Sequence, residues 1–374
     1  METSSLPHPG WARQIPRGLL GMLLLLALGE GVVRWAEPGL NGIEPWDWRR
    51  TGQAAAQAPE VKQSAVLCFG DSLVKLGVQP RVLAESLGPG KRAYNLALCA
   101  GRAPASYFLF RRAIAAGARP EAVVVDFNDS FLAEPPATTM RLYSELLTPG
   151  EVCELAAAIG RRDFASTLLT FEALRVVKNR FEIRRAILDA LLGQADGWKK
   201  HGTSNRMRDN WRANLGAQVM PKVAAPLSAD PAAWGWVQPT GWQADPTNAA
   251  YLSAFFELAE IHKIPVLWLL PPVHPGFMAR RNQLGDLMPF NNFVVATLAK
   301  FPGVTVVDGR QAGYDASVFI DMAHLDRDGS ARLSRALGAL VSETRARSGP
   351  GPRIVALPAP SARQVAAGAT PTAR

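Results

Sequence analysis

The chain has 374 residues, of which 48% are hydrophobic and 20% charged, ordinary values for a globular protein that allow one large domain or two small ones. Its net charge of +9 is spread over separate arginine pairs such as Arg111-Arg112, Arg161-Arg162 and Arg184-Arg185. No basic run is long enough for a nucleic-acid arm, which sets nucleic acid aside as a partner, and an anionic membrane or an acidic glycan stays open. Cys68, Cys99 and Cys153 form neither a disulfide framework nor a metal-ligand spacing, so no metal or cofactor is expected.

In chain order, Arg13 and Arg17 precede the apolar stretch "GLLGMLLLLALG", Gly18 to Gly29, which runs on into "EGVVRW". A helix over 18–36 approaches the length of a membrane span, with Glu30 and Arg34 spaced to pair on one face. The expectation is a signal anchor, with residues 1–17 cytoplasmic and the rest of the chain extracytoplasmic. Cleavage after Ala27-Leu28-Gly29 is the alternative, and it would make the protein secreted. Residues 37–61, rich in Trp, Pro, Gln and Ala without a sustained period, read as a linker.

From about residue 62 the pattern becomes repetitive. "SAVLCFG", "AYNLALCAG" and "EAVVVDFNDS" are three buried strands, the first two each followed by a helical segment. This is the signature of a doubly wound parallel sheet in an α/β fold. The strand pattern stops at about 134–250, where a mainly helical insertion ends in the tryptophan-rich "WGWVQPTGWQ". Insertions of this length commonly cap the strand ends. "IPVLWLLPPVHP" and "GVTVVDGR" supply a fourth and a fifth strand, and "RDGSARLSRALGALVSETRAR" closes the domain at about 347. The Pro-, Ala-, Gly-, Ser- and Thr-rich tail, 348–374, is expected to be disordered.

Ser72 stands at the carboxyl end of the first strand, where open α/β sheets bind their ligands. A serine nucleophile needs a base, a group that orients the base, and donors for an oxyanion. His324, with Asp321 three residues before it, lies in the loop after the fifth strand. In a tight turn that spacing lets the acid accept from Nδ1 and aim Nε2 outward. Alone, an acid three residues before a histidine is common, and a capping aspartate explains it equally well.

Taken together, "FGDSL" (69–73), Gly101 in "CAGRAP", "DFNDS" (126–130) and "DMAHL" (321–325) follow the order of the four blocks of the SGNH, or GDSL-type, hydrolase superfamily, which the chain resembles over about 62–345 apart from the insertion. The resemblance implies a flavodoxin-like three-layer fold with a five-stranded parallel sheet. It also implies Ser72 as nucleophile, Asp321 and His324 as acid and base, and the Ser72 N–H, the Gly101 N–H and the Asn128 side chain as oxyanion donors. The function it implies is ester hydrolysis or O-acyl transfer through an acyl-serine. Membrane-anchored members act on acylated, often acetylated, extracytoplasmic polysaccharides, so an acylated glycan or a small ester is the expected substrate.

One position departs from the pattern. Asp126 stands where the third block usually has glycine, and a carboxylate facing the site would oppose a developing oxyanion. The alternative reading is therefore an inactive, membrane-tethered binding or scaffold protein. Trp236, with Trp234 and Trp242, offers flat faces for stacking on sugar rings, or packs within the insertion. His274, in "PPVHPG" after the fourth strand, either contacts substrate at the cleft rim or sits in a rigid proline-flanked turn.

Overall fold

The computed structural model describes residues 17–40, 42–192, 197–222, 241–285, 287–346 and 353–358. Six strands form one sheet: β1 (Val66–Phe69), β2 (Ala93–Asn95), β3 (Ala122–Asp126), β4 (Val266–Leu270), β5 (Val304–Asp308) and β6 (Arg353–Ala356). All pairings are parallel, and the order is β2-β1-β3-β4-β5-β6. This is the flavodoxin-like α/β arrangement with one strand added, and its topological switch point falls between β1 and β3.

Period-two alternation divides the core into two layers. Leu67, Phe69, Val123, Val125, Trp268 and Val306 face one side of the sheet. There they meet the helices Ile43–Gln57, Ala103–Ala115, Pro246–Ile261 and Met288–Lys300 through buried aromatics such as Trp48, Phe110 and Phe255. Val66, Cys68, Val124, Leu267 and Val307 face the other side, against Leu83 of helix Pro80–Leu87 and Leu333 and Leu337 of helix Arg327–Ala346.

Two expectations are corrected by this packing. The stretch expected as a linker is mostly helix Ile43–Gln57, a core element whose Trp48 is fully buried and donates its indole N–H to the Cys99 carbonyl (2.9 Å). Its Pro and Gln content hid an apolar face made by residues as small as Ala54 and Ala55. The tail expected to be disordered contains β6, and Leu357 beyond it is buried. Here "RIVALP" is a short β-branched run in a small-residue context, and it pairs with an edge of β5 that would otherwise present unpaired backbone groups. The rest of that tail, 359–374, lies outside the described residues.

The described part of the insertion lies beside the sheet. Helix Arg162–Ala173 packs against both Met140–Leu146 and Pro149–Ile159, and Met140–Leu146 packs against Ile43–Gln57. Residues 214–218 run along the open edge of β2: Asn95 N–H donates to Leu215 O (3.0 Å), and Gln218 N–H to Lys75 O (3.0 Å). Gly216 (φ 91°) is required there, since a Cβ would stand 2.0 Å from Asn95 O. Helix Arg17–Leu40 is long and apolar enough over Gly18–Glu37 to cross a membrane.

Candidate active site

Ser72 opens the short helix Ser72–Gly77 directly after β1. The turn that places it is built by Gly70, whose φ of 127° lies in the region that favours glycine. Asp71 caps the helix by accepting from Leu73 N–H (2.7 Å). The Ser72 hydroxyl lies 2.7 Å from His324 Nε2, and His324 Nδ1 lies 2.6 Å from Asp321 Oδ2. The other Asp321 oxygen accepts from the backbone N–H groups of Ala323 (2.9 Å) and His324 (2.8 Å), closing the tight turn that its spacing suggests. The three side chains thus form one hydrogen-bonded row joining the end of β1 to the loop before the last long helix.

Electrostatics favours a basic imidazole. Burial works against a charged His324, but the Asp321 hydrogen bond and charge, with a contribution from Asp71, outweigh it and hold the ring above its ordinary value. Burial likewise opposes the Asp321 carboxylate, and the His324 contact and two backbone N–H groups outweigh it, so Asp321 titrates below the usual range.

Asp126 does not face the Ser72 hydroxyl. Its side chain is buried beneath the Gly70 turn, where Oδ1 accepts from Asp71 N–H (2.8 Å). Burial, then the neighbouring Asp71 charge, push its carboxyl well above the usual carboxylate range. Burial also pushes Asp71 up to about 6, against the Leu73 N–H that favours its charge. The Asp126 carboxyl therefore braces the turn that carries Ser72.

The expected oxyanion donors fare differently. The Ser72 N–H, at the first position of its helix, makes no hydrogen bond among the described residues. Asn128 caps helix Asp129–Ala133 through Oδ1 (3.1 Å to Phe131 N–H), and its Nδ2 donates to Asp71 Oδ2, leaving its second amide hydrogen. Gly101 departs from expectation: its N–H is committed to Leu98 O (2.8 Å), closing a turn in which Ala100 takes φ 57°. Glycine is needed at 101 for close approach, since a Cβ would stand 2.8 Å from both Gly70 O and Leu98 O. Gly101 thus packs closely against the Gly70 turn, with its N–H committed to Leu98 O.

His274 is also reassigned. It is 5% exposed, accepts from Gly276 N–H through Nδ1 (3.1 Å) and so caps helix Pro275–Leu284. Burial lowers its pKa against the pull of Asp315. Its backbone N–H donates to Met322 O (2.9 Å), so it braces the Asp321–His324 loop from behind and is not a rim contact. Trp242 donates its indole N–H to Asp129 O (2.7 Å) and packs edge-on against Phe290 and Phe293. Trp234 and Trp236 lie outside the described residues.

Three partners near the site have contacts that the motifs alone do not give. They are Asp71, shared between the nucleophile turn and Asn128; Arg281, a buried partner of Asp129; and the fully buried Lys75, whose Nζ meets Asp47 Oδ1 at 2.7 Å. Only the Asp71 cap had a local sequence signal, an Asp at the start of a helix. No protein-family model matches the chain, and no curated protein does.

Proposed function

We propose that the protein is a serine-dependent ester hydrolase or O-acyltransferase of the SGNH type, anchored by helix Arg17–Leu40 and acting on the extracytoplasmic side. The observation that carries this reading is the Asp321–His324–Ser72 row, with spacings of 2.6 and 2.7 Å, at the β1/β3 switch point. His324 takes the Ser72 proton as Oγ bonds to the carbonyl carbon of an ester. Asp321 stabilises the imidazolium, and the Ser72 N–H and the second Asn128 amide hydrogen meet the tetrahedral oxyanion. His324 then returns the proton to the departing alcohol, leaving an acyl-serine. Water, or the hydroxyl of an acceptor such as a glycan, repeats the steps in reverse and frees Ser72. Arg13 and Arg17 ahead of the apolar helix favour a cytoplasmic N-terminus.

The test is labelling by a fluorophosphonate probe together with turnover of an activated acetyl ester. Wild type is expected to label at Ser72 and release acetate, and Ser72→Ala to do neither. A folded wild type that neither labels nor turns over sinks the enzymatic reading. It would favour a tethered scaffold, for which the committed Gly101 N–H is the specific structural support. Adding a glycan acceptor separates the two chemistries: acyl gain on the acceptor above loss to water marks a transferase.

A further inference from the structure

The apolar helix does not stand clear of the domain along its whole length. From Glu30 onward it is docked on the insertion. Glu30 accepts from the backbone N–H groups of Arg175 (2.8 Å) and Val176 (3.0 Å), and Arg34 bonds both Glu30 (2.8 Å) and Ala173 O (2.9 Å). Val33 is buried, and the helix packs on Arg175–Lys178 and Arg180–Leu191. The stretch Gly18 to Gly29 is exposed along nearly its whole length, whereas from Glu30 one face is docked and the other, with Val32 and Trp35, stays exposed.

Length then fixes depth. The twelve residues Gly18 to Gly29 rise about 18 Å as a helix, whereas the hydrocarbon core of a bilayer is about 30 Å thick. A spanning helix must therefore carry its docked part, Glu30 to Glu37, into the leaflet on the domain's side, and the insertion helices bound to it go to the same depth.

Their outward surface suits that place. Helix Arg180–Leu191 buries none of its residues, and exposes Phe181 (61%), Ile187, Leu188 and Leu191 (77%), flanked by Leu174 before it and Leu192 after it. At 100° per residue Phe181, Leu188, Leu191 and Leu192 share one face, with Arg184 within it and Arg185 at its edge. The Arg180 guanidinium lies over the Phe181 ring (4.4 Å). The opposite face is fixed to the protein by Glu182, which pairs with Arg141. Long arginine side chains can lie along apolar surface and bring their charge to lipid phosphates. Glu30, for its part, has its polar demand met by two backbone N–H groups and Arg34, as a group away from water requires.

We propose that helix Arg180–Leu191 and the end of Arg162–Ala173 form a monotopic platform seated in the bilayer interface beside the spanning helix, with lipid as the occupant of this apolar face. The proposal rests on the anchor reading above, and the test separates the two.

The full chain, with the exposed Cys153 replaced by serine, is labelled with an environment-sensitive fluorophore at Leu24→Cys, Leu188→Cys, Leu191→Cys or Glu85→Cys. Each form is reconstituted in phosphatidylcholine–phosphatidylglycerol vesicles with brominated acyl chains. Emission at 24, 188 and 191 is expected to be at least halved by the brominated lipid, and emission at 85 unchanged. Quenching at 24 alone, with aqueous iodide reaching 188 and 191, overturns the platform and leaves the anchor standing. No lipid quenching at 24 overturns both. Protection of 188 from both quenchers, with a doubled particle mass, overturns lipid as the occupant in favour of a second copy of the chain.

Discussion

At the scale of residues, the imidazole of His324 sets the expected pH behaviour. In the proposed reaction the free base accepts the Ser72 proton, and the ring's pKa is held above its ordinary value against burial, chiefly by Asp321. Activity is therefore expected to be low in acid and to rise with pH through a midpoint above that ordinary value. In Asp321→Asn the opposing charge is gone, so the midpoint should move down, and the plateau should fall on the order of a thousandfold or more. A pH profile of fluorophosphonate labelling for both forms checks the two statements, and an unmoved midpoint would argue against the row acting as a unit.

The Gly70 turn makes a second prediction at this scale. An added Cβ would stand 1.4 Å from Asp126 Oδ1, at a φ of 127°. Gly70→Ala should cost about 3 kcal/mol of stability, read from a denaturant midpoint, and adding Asp126→Gly should restore part of it by removing the clash. Asp126 also shows why the sequence could not settle its own departure from the motif. Whether a carboxyl opposes or supports an oxyanion depends on which way it points and on its surroundings, and these are set by its burial and by a contact with Asp71, 55 residues away in the chain.

At the scale of elements, strands whose two faces are both buried were legible because nearly every residue in them is apolar, as in β1 and β4. Such runs need no partner to be recognised. Elements whose identity is conferred by a neighbour were not. Helix Ile43–Gln57 has a buried face of small and polar residues that makes sense only against Ala103–Ala115 and Met140–Leu146. β6 has an alternating half-buried pattern four residues long, which becomes a strand because β5 offers it hydrogen bonds. Leu357 tests the second case: it is 3% exposed, and its N–H donates to Asp308 O (2.8 Å). Leu357→Ala is expected to destabilise the domain by about 2–4 kcal/mol, and a thermal midpoint left in place would mean the tail contributes nothing. The candidate site follows the same division. Ser72, Asp321 and His324 sit in local patterns, and the fold brings the three side chains into one hydrogen-bonded row, whereas Gly101 and His274 take other places once their hydrogen-bond partners are known.

For the whole molecule, two clusters of polar contacts, joined through helix Ile43–Gln57, lie between the apolar helix and the short helix that Ser72 opens. Glu37 lies between Lys178 (3.3 Å) and Arg49 (3.3 Å), and Glu145 bonds both of these. Arg49 shares helix Ile43–Gln57 with Asp47, whose carboxylate holds Lys75, one turn after Ser72. Removing one member of a buried pair leaves the other without compensation, at a cost of about 3–5 kcal/mol. Lys75→Met alone should therefore be strongly destabilising, whereas Lys75→Met with Asp47→Leu should recover most of the loss in urea unfolding. Failure of the double variant to recover would show that the pair does more than satisfy itself.

The helical nature of residues 43–57 has one more consequence. A flexible tether over 37–61 would let the domain wander about 25–30 Å from its anchoring point. Instead, helix Arg17–Leu40 is followed after two residues by a helix built into the core. Such a domain has no leash. On the proposed reading, Ser72 would work at one fixed height above the bilayer, and a polymeric acceptor would have to be brought past it at that height, as thread past a needle clamped to the bench.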